Sequence, residues 1–551
     1  MTSVVPNLDE GPLPLGYIRE EARKHLVDAL DSRRGKKVLV LDPRVSGFLG
    51  LLAEVPLLRE HGVEQLLHLG AEPLGDVPAR NIIYLARSEI QNAQFIAQHI
   101  KTTTKQGGTP HEFAVFFMPR KTTLCEHIFQ QEGVFGDIVV GEFPVDFIPF
   151  DSDVLSLELP TAFREVALDG DNSSLYYAAR ALTQLQARFG AFPVIKGMGT
   201  SAAVVADLLK RMRREAGSDA PSVGGSALSM LVLVDRAVDP ATPLATQLTY
   251  EGTVDEMLGI SNGVVSMESQ GRKERMTLNS TDRTYKDLRD VSFAAVGPRL
   301  GTRAKALQSQ YKDTKAPDRS LAELKEFAGQ LKGLPQLQRH INLTDAVNQQ
   351  LAKPGMRTRV AIEHSLLEGH GLEAACESIE ELMYGEEPLL TVLRLLCLLS
   401  FTQGGVPKKW HDGLRRELLH TYGHEHLLTL ASLQAAGLLR RQEGGRPAFA
   451  ALRRSLRLSL PDTDNHEPDD VAYTFNGYAP ISLRLVQAAV GGSGWGQINE
   501  EGLKALGALH FERRQQDAEE DGSAVPSTSA ASAAAGDNTK RRKVVVMFLG
   551  G

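Results

Sequence analysis

Cysteine is scarce in this 551-residue sequence: Cys125, Cys376 and Cys397 are an odd number with no Cys-x-x-Cys spacing. That excludes a disulfide framework and cysteine-built zinc sites, and it fits a reducing compartment. An excess of positive charge is also absent. The net charge is −7, so nothing in the balance calls for nucleic acid, which needs a basic face. Long apolar runs are missing as well. The most apolar one, "LLTVLRLLCLL" from Leu389 to Leu399, is broken by Arg394 and falls short of the ~20 residues that span a bilayer. The opening residues, "MTSVVPNLDEGPLPLG", show neither the basic nor the apolar segment of a secretory signal. What remains is a globular balance, 42% hydrophobic and 23% charged, long enough for about three or four domains. The expectation is a cytoplasmic protein whose contact with membranes is indirect.

What is present is alternation. "KKVLVLD" reads as a buried strand, "LGLLAEVPLLREHG" as a helix closed by Gly62, and "VEQLLHL" as a strand. "NIIYLAR" follows as a strand, with Ser88 capping the helix behind it, and "EFAVFFMP" with "TTLCEHIFQQEG" repeats the pattern. Such alternation implies a parallel, helix-covered sheet. A second α/β unit begins with "SSLYYAARALTQLQARFG", "FPVIKG" and "AAVVADLLKRMRRE". After Ile260 strand signals fade and helical patterns dominate to about Leu439. "SLAELKEFAGQLKG" and "QLQRHINLTDAVNQQL" read as two helices around a tight turn at Leu334-Pro335. Later, "DVAYTFNGYAPISLRLVQAAV" reads as strand, turn and helix. The segment 514–542 is low in large apolar residues and reads as a linker. "VVVMFLG" beyond it reads as a strand, whose expected partner is the second sheet.

Four patterns could carry chemistry. Gly197, Gly199 and Ala202 form G-x-G-x-x-A between a strand and a helix, the context of a dinucleotide site. The expected acid some twenty residues on is missing, and Asp235 comes too late. A nucleotide-binding α/β enzyme using 197–202 is therefore the alternative reading. His420, His424, Glu425 and His426 approach a zinc motif, but Leu428 stands where H-E-x-x-H needs histidine. Cys125 and His127, two apart on a helix, face different ways. The basic cluster Arg211–Arg214 is either a solvated face or a lipid-headgroup contact. No metal and no cofactor is expected.

The stretch "LVLVDRAVDPATPLATQLTYEGTVDEMLGI", Leu231 to Ile260, ends a strand on Asp235 and Arg236, turns at Asp239-Pro240, and offers Thr242 as N-cap and Pro243 as first helical residue. Each residue there has a structural role without a substrate.

The same stretch resembles the signature of the SM family, the Sec/Munc-type syntaxin-binding proteins. "TPLATQLTYEG" is most similar to its endolysosomal branch, that of vacuolar protein sorting-associated protein 33. "VLVLDPRVSGFLGLLAEV", "LCEHIFQQEGVFGD", "FIPFDSDVLSLEL", "LLKRMRRE", "LRDVSFAAVGPRL", "TYGHEHLLTL" and "GYAPISLRLVQ" agree in order across Lys36 to Glu512. The resemblance implies an α/β plus mainly α fold: a three-domain arch, two parallel-sheet α/β domains with a helical domain inserted in the second. It places domain 1 at 1–145, domain 2 at 146–258 and 471–551, domain 3a at 259–358 and domain 3b at 359–470. Relatives continue past the segment that matches 544–551, so domain 2 is expected to be incomplete within these residues.

The resemblance further implies a non-enzymatic protein that binds SNARE helices and templates their assembly in vesicle docking and fusion. It would act as a subunit of the HOPS or CORVET tethers, held by a class C subunit with a β-propeller and an α-solenoid, peripheral on late endosome, lysosome or vacuole. The SNARE-binding hairpin would span about Ser320 to Val347, with Lys325, Phe327, Leu331, Leu334, Pro335, Gln336 and His340 as contacts. Asp235, Arg236, Asp239, Thr242, Pro243 and Tyr250 would be its structural signature.

Overall fold

Apolar runs of five to seven residues in the first part of the chain have too few polar positions to face water on either side. They become the inner strands of a five-stranded parallel sheet: β1 (Lys37–Leu41), β3 (Asn81–Arg87) and β4 (Glu112–Met118) are buried almost throughout. β2 (Val63–His68) and β5 (Ile138–Glu142), whose residues are mostly exposed or half-buried, lie at the edges, giving the order β2-β1-β3-β4-β5. Two apolar layers flank this sheet, one around Leu30, Phe48 and Ile83 and the other around Tyr84, Ile96 and Phe129. Two short strands, β6 (Ile148–Pro149) and β7 (Leu155–Ser156), pair antiparallel.

The structure is a computed structural model and describes residues 15–75, 77, 79–105, 110–223, 226–269, 272–313, 334–444, 447–515 and 543–550. The chain divides into two units, Glu10–Glu158 and, in the main, Leu159–Gly551. The first unit thus extends beyond residue 145 to take in the β6-β7 pair.

In the second unit, β8 (Val194–Met198) and β9 (Met230–Asp235) run parallel, β13 (His510–Arg514) adds antiparallel to β8, and β14 (Val544–Leu549) adds parallel to β9. The register Val544↔Met230 to Leu549↔Asp235 confirms that the apolar segment after the linker returns to the second sheet. The described residues between β9 and β13 form an insertion that is mainly helical. Val232 and Val234 of β9 share one core with Ile481 and Leu485, and with Leu395 and Leu398 of the helix Leu389–Gln403. The apolar run "LLTVLRLLCLL" is therefore a buried core helix. Among the described residues no helix is long and apolar enough to cross a membrane.

Several local expectations differ. The helix expected over 49–62 is two, Pro43–Leu52 and Val55–Glu60, because Pro56 starts a new first turn. The Ser88 hydroxyl donates to the Arg120 carbonyl instead of capping a helix. Residues 260–277 form an antiparallel sheet, β10 (Ile260–Ser261), β11 (Val264–Ser269) and β12 (Arg272–Thr277), where strand signals were expected to fade. Its buried Val265, Met267 and Met276 alternate with polar neighbours, the period of a half-buried strand. Val471–Phe475 is a 3-10 helix rather than a strand, started by the Asp470 carboxylate on the Ala472 amide and ended by Asn476 at φ 50°.

Candidate functional site

The end of β9 delivers two buried carboxylates, and both are committed to helix starts. Asp235 accepts from the Ala237 amide at Oδ1 (3.0 Å) and from the Ser201 amide at Oδ2 (2.8 Å), the first turn of the helix Thr200–Ala216. Asp239, fully buried, accepts the Thr242 amide at Oδ1 (3.1 Å). Its Oδ2 takes the Thr242 hydroxyl (2.5 Å) and the Ser482 amide (2.8 Å), the latter opening the helix Ile481–Val490. One side chain thus ties the junction to a helix 243 residues away. Thr242 and Pro243 sit inside the four-residue helix Ala241–Leu244 rather than at its cap; Pro240 holds the cap position, and the Asp239 carboxylate just before it satisfies the Thr242 amide. Arg236 lies over the Phe548 ring of β14 (5.5 Å), and burial lowers its pKa although Asp239 and Asp235 oppose this.

Beyond that short helix the chain is clamped by an ionic network. Glu363 accepts the Thr246 amide (2.8 Å), the Thr246 hydroxyl (3.1 Å) and Arg359 Nε (2.8 Å). Arg359 and Arg394 both donate to Glu256 Oε1 at 2.7 Å, and Arg394 also reaches the Leu244 and Ala245 carbonyls. Burial pushes the Glu256 carboxyl up, but the Arg394 and Arg359 guanidiniums outweigh it and hold it below the ordinary range. Arg394, the charge that interrupts the apolar run, is the residue that grips this loop.

Tyr250 begins the helix Tyr250–Leu258, capped by the Thr249 hydroxyl on the Gly252 amide. Its ring is buried, and its hydroxyl meets His340 Nδ1 at 2.7 Å, while His340 Nε2 lies 3.3 Å from Asp282 Oδ2. Burial lowers the His340 pKa further than Asp282 raises it, so the ring is neutral, donates from Nε2 and accepts the tyrosine proton at Nδ1. Asp282 caps Thr284 and Tyr285 with its other oxygen, and the Tyr285 ring stacks on His340. This triad anchors the helix Leu334–Leu351, which buries Leu337, His340, Leu343, Thr344 and Val347 on one face. The opposite face carries Gln338, Asp345 and Gln349, all polar and exposed; Gln336, Arg339 and Asn348 are exposed in its first turns and along its flanks, with Arg339 paired to Glu274 of β12 (3.2 Å). The helix thus presents polar side chains over its exposed surface.

A family model described as the Sec1 family matches residues 37–551. The chain belongs to the Sec1 family. It is 38% identical over 518 residues to the vacuolar protein-sorting-associated protein 33 homolog of Arabidopsis thaliana, covering 93% of this chain and 86% of that one. To vacuolar protein sorting-associated protein 33A of Rattus norvegicus it is 36% identical over 530 residues, covering 92% and 88%. Among solved structures, SM protein Vps45 in complex with the Qa SNARE Tlg2 matches with TM-score 0.54 at 18% identity, covering 90% of this chain and 88% of that one. That likeness speaks for the fold: α/β sheets with a mainly helical insertion in the second.

The Sec1-family chain places the expected contact residues unevenly. Lys325, Phe327 and Leu331 lie outside the described residues. Leu334 and Pro335 belong to the first turn of the helix rather than to a free turn, and Pro335 and Gln336 are exposed. His340 is fully buried and holds the helix from beneath. Asp282, Glu363, Arg359 and Ser482, which complete the site, were not singled out from the sequence, since each acts through a residue far along the chain.

The G-x-G-x-x-A pattern has a packing explanation. A Cβ on Gly197 would stand 2.2 Å from the Phe511 ring, and one on Gly199 2.2 Å from Asp235 Cβ. The helix start that would receive a phosphate already holds the Asp235 carboxylate. Asp42, at the end of β1, likewise accepts from the Arg44 and Arg87 amides and from Asn92 where the sheet order reverses. The His420 and His424 rings lie 6.4 Å apart, and the described residues contain no grouping able to hold a metal.

Proposed function

We propose that this protein binds SNARE helices and templates their assembly into the fusion bundle at endosomal, lysosomal or vacuolar membranes. It would do so as a subunit of HOPS- or CORVET-type tethers, carried by a class C subunit with a β-propeller and an α-solenoid. The observation that carries the reading is the family match across 37–551, joined by relatives named for vacuolar protein sorting. A solved family member in complex with a Qa SNARE supports it. The contact surface would be the exposed part of Leu334–Leu351, with Pro335, Gln336 and Arg339 of its first turns foremost. Because that surface is polar, recognition would combine hydrogen bonds and ion pairs to the SNARE's outer positions, leaving its apolar layers for the bundle.

The role is binding rather than catalysis. Asp235 and Asp239, the two carboxylates best placed for chemistry, have their oxygens committed to backbone amides and to the Thr242 hydroxyl. The test is a pull-down of an assembled SNARE core bundle by the full chain. Gln336→Glu with Arg339→Glu should weaken binding at least about tenfold, the size of one or two lost charge-assisted bonds, with unchanged circular dichroism. Unchanged binding would contradict this surface.

A further inference from the structure

In a parallel α/β sheet the helices run back against the strands, so helix C-termini gather where strands begin. At that pole of the second sheet four elements bring cations together. The helix Ser173–Phe189 ends with Arg188, and the helix Thr200–Ala216 ends with Arg211, Arg213 and Arg214. β13 ends at Arg514, opposite Val194 at the start of β8, and Lys543 immediately precedes β14. Two contacts fix this gathering: Arg213 Nη1 donates to Gln515 Oε1 (3.1 Å), and the Lys543 carbonyl accepts the Ser229 amide (2.9 Å) just before β9.

Arg188, Arg211, Arg214 and Arg514 are exposed, while Arg213 and Lys543 are half-buried. Among the described residues of these segments and the loops joining them, Glu215 and Asp219 are the acids at this pole. One or two cations would satisfy each helix C-terminal dipole, and three arginines within four residues exceed that need. Six described cations against two acids leave the pole net positive on a chain of net charge −7.

We infer that this basic pole docks the protein on an anionic phospholipid surface, a direct contact beyond the indirect one through partners. Among the described residues no apolar wedge accompanies the cations, so the attraction is electrostatic and falls with salt. Each cation near such a surface changes partitioning by about fivefold. Acting together with a tether and SNARE helices already in the membrane, a weak attraction of this kind would orient the chain.

The test is flotation of the full chain with phosphatidylcholine vesicles, with and without phosphatidylserine. Binding should need phosphatidylserine, decline steeply with added salt, and drop at least about tenfold in Arg211→Glu/Arg214→Glu/Arg514→Glu. These side chains are exposed, so circular dichroism and SNARE pull-down should match the parent chain, which separates this inference from the proposed function. Equal binding to neutral vesicles, no binding to either, or an unchanged triple variant would overturn it. So would an RNA competitor that binds the pole while vesicles do not.

Discussion

Asp239 shows how much one buried side chain can hold. Its carboxylate serves two helix starts at once, so Asp239→Ala leaves amides at Thr242 and Ser482 without a partner in a dry environment. Losing a cap costs about 1 kcal/mol, and stranding a buried donor about 1–3 more. We expect Asp239→Ala to lose roughly 2–4 kcal/mol and to show this first as reduced soluble yield and a lower melting temperature. Asp235→Ala should behave alike, since Ser201 and Ala237 depend on it. A variant that folded normally and lost only a chemical activity would restore the enzyme reading. Likewise, NAD or ATP should not raise the melting temperature, and a shift of several degrees that Gly199→Val abolished would contradict the packed helix start.

His340 adds a pH dependence. Its folded pKa lies below the ~6.5 of an exposed histidine, so as pH falls through that value the unfolded chain takes up the proton first. The stability contributed by the neutral Tyr250–His340–Asp282 chain is complete above that value. It declines as the pH is lowered toward the folded pKa. Melting temperature measured from pH 8 to pH 6 should fall for the parent chain and fall less for His340→Gln, which has no charge to gain. Equal slopes would remove His340 from the account.

The network around Arg359 belongs to the scale of elements, because it joins the helix Pro354–Glu368 to the junction loop and to the helix Tyr250–Leu258. Arg359→Met would leave the buried Glu363 carboxylate without its cation. A loss of about 3–5 kcal/mol is expected, and with it a melting temperature lower by roughly 5 °C. The elements also show what a sequence can disclose. Buried parallel strands such as "NIIYLAR" and "KVLVL" announce themselves, because burial on both faces leaves a continuous apolar run. The β11-β12 hairpin escaped notice because its buried apolar residues, Val265, Met267 and Met276, are few and stand between polar ones, so no apolar run forms. The 3-10 helix at Val471 reads as a strand by composition, and only its cap, Asp470, held in turn by Arg484, says otherwise.

On the scale of the whole molecule, the family and its fold were legible from ordered motifs, and the return of "VVVMFL" to β9 followed from the rule that a strand needs neighbours. The candidate site was only half legible. Asp235, Asp239 and Tyr250 stand out in the sequence, but their partners Ser201, Ser482 and His340 are 34, 243 and 90 residues away. Such distances carry no local signal. His340 in particular sits in an amphipathic helix, where a polar residue suggests the outer face until burial places it within.

The central claim, that SNARE helices lie on the exposed part of Leu334–Leu351, is tested most directly by placing a photo-crosslinking amino acid at Gln336 of the full chain and irradiating it with an assembled SNARE core bundle. The account predicts a covalent adduct with a SNARE helix, identified by mass, and none when the crosslinker replaces the exposed Lys36 of the first unit. Binding that persists while Gln336 captures nothing would contradict it.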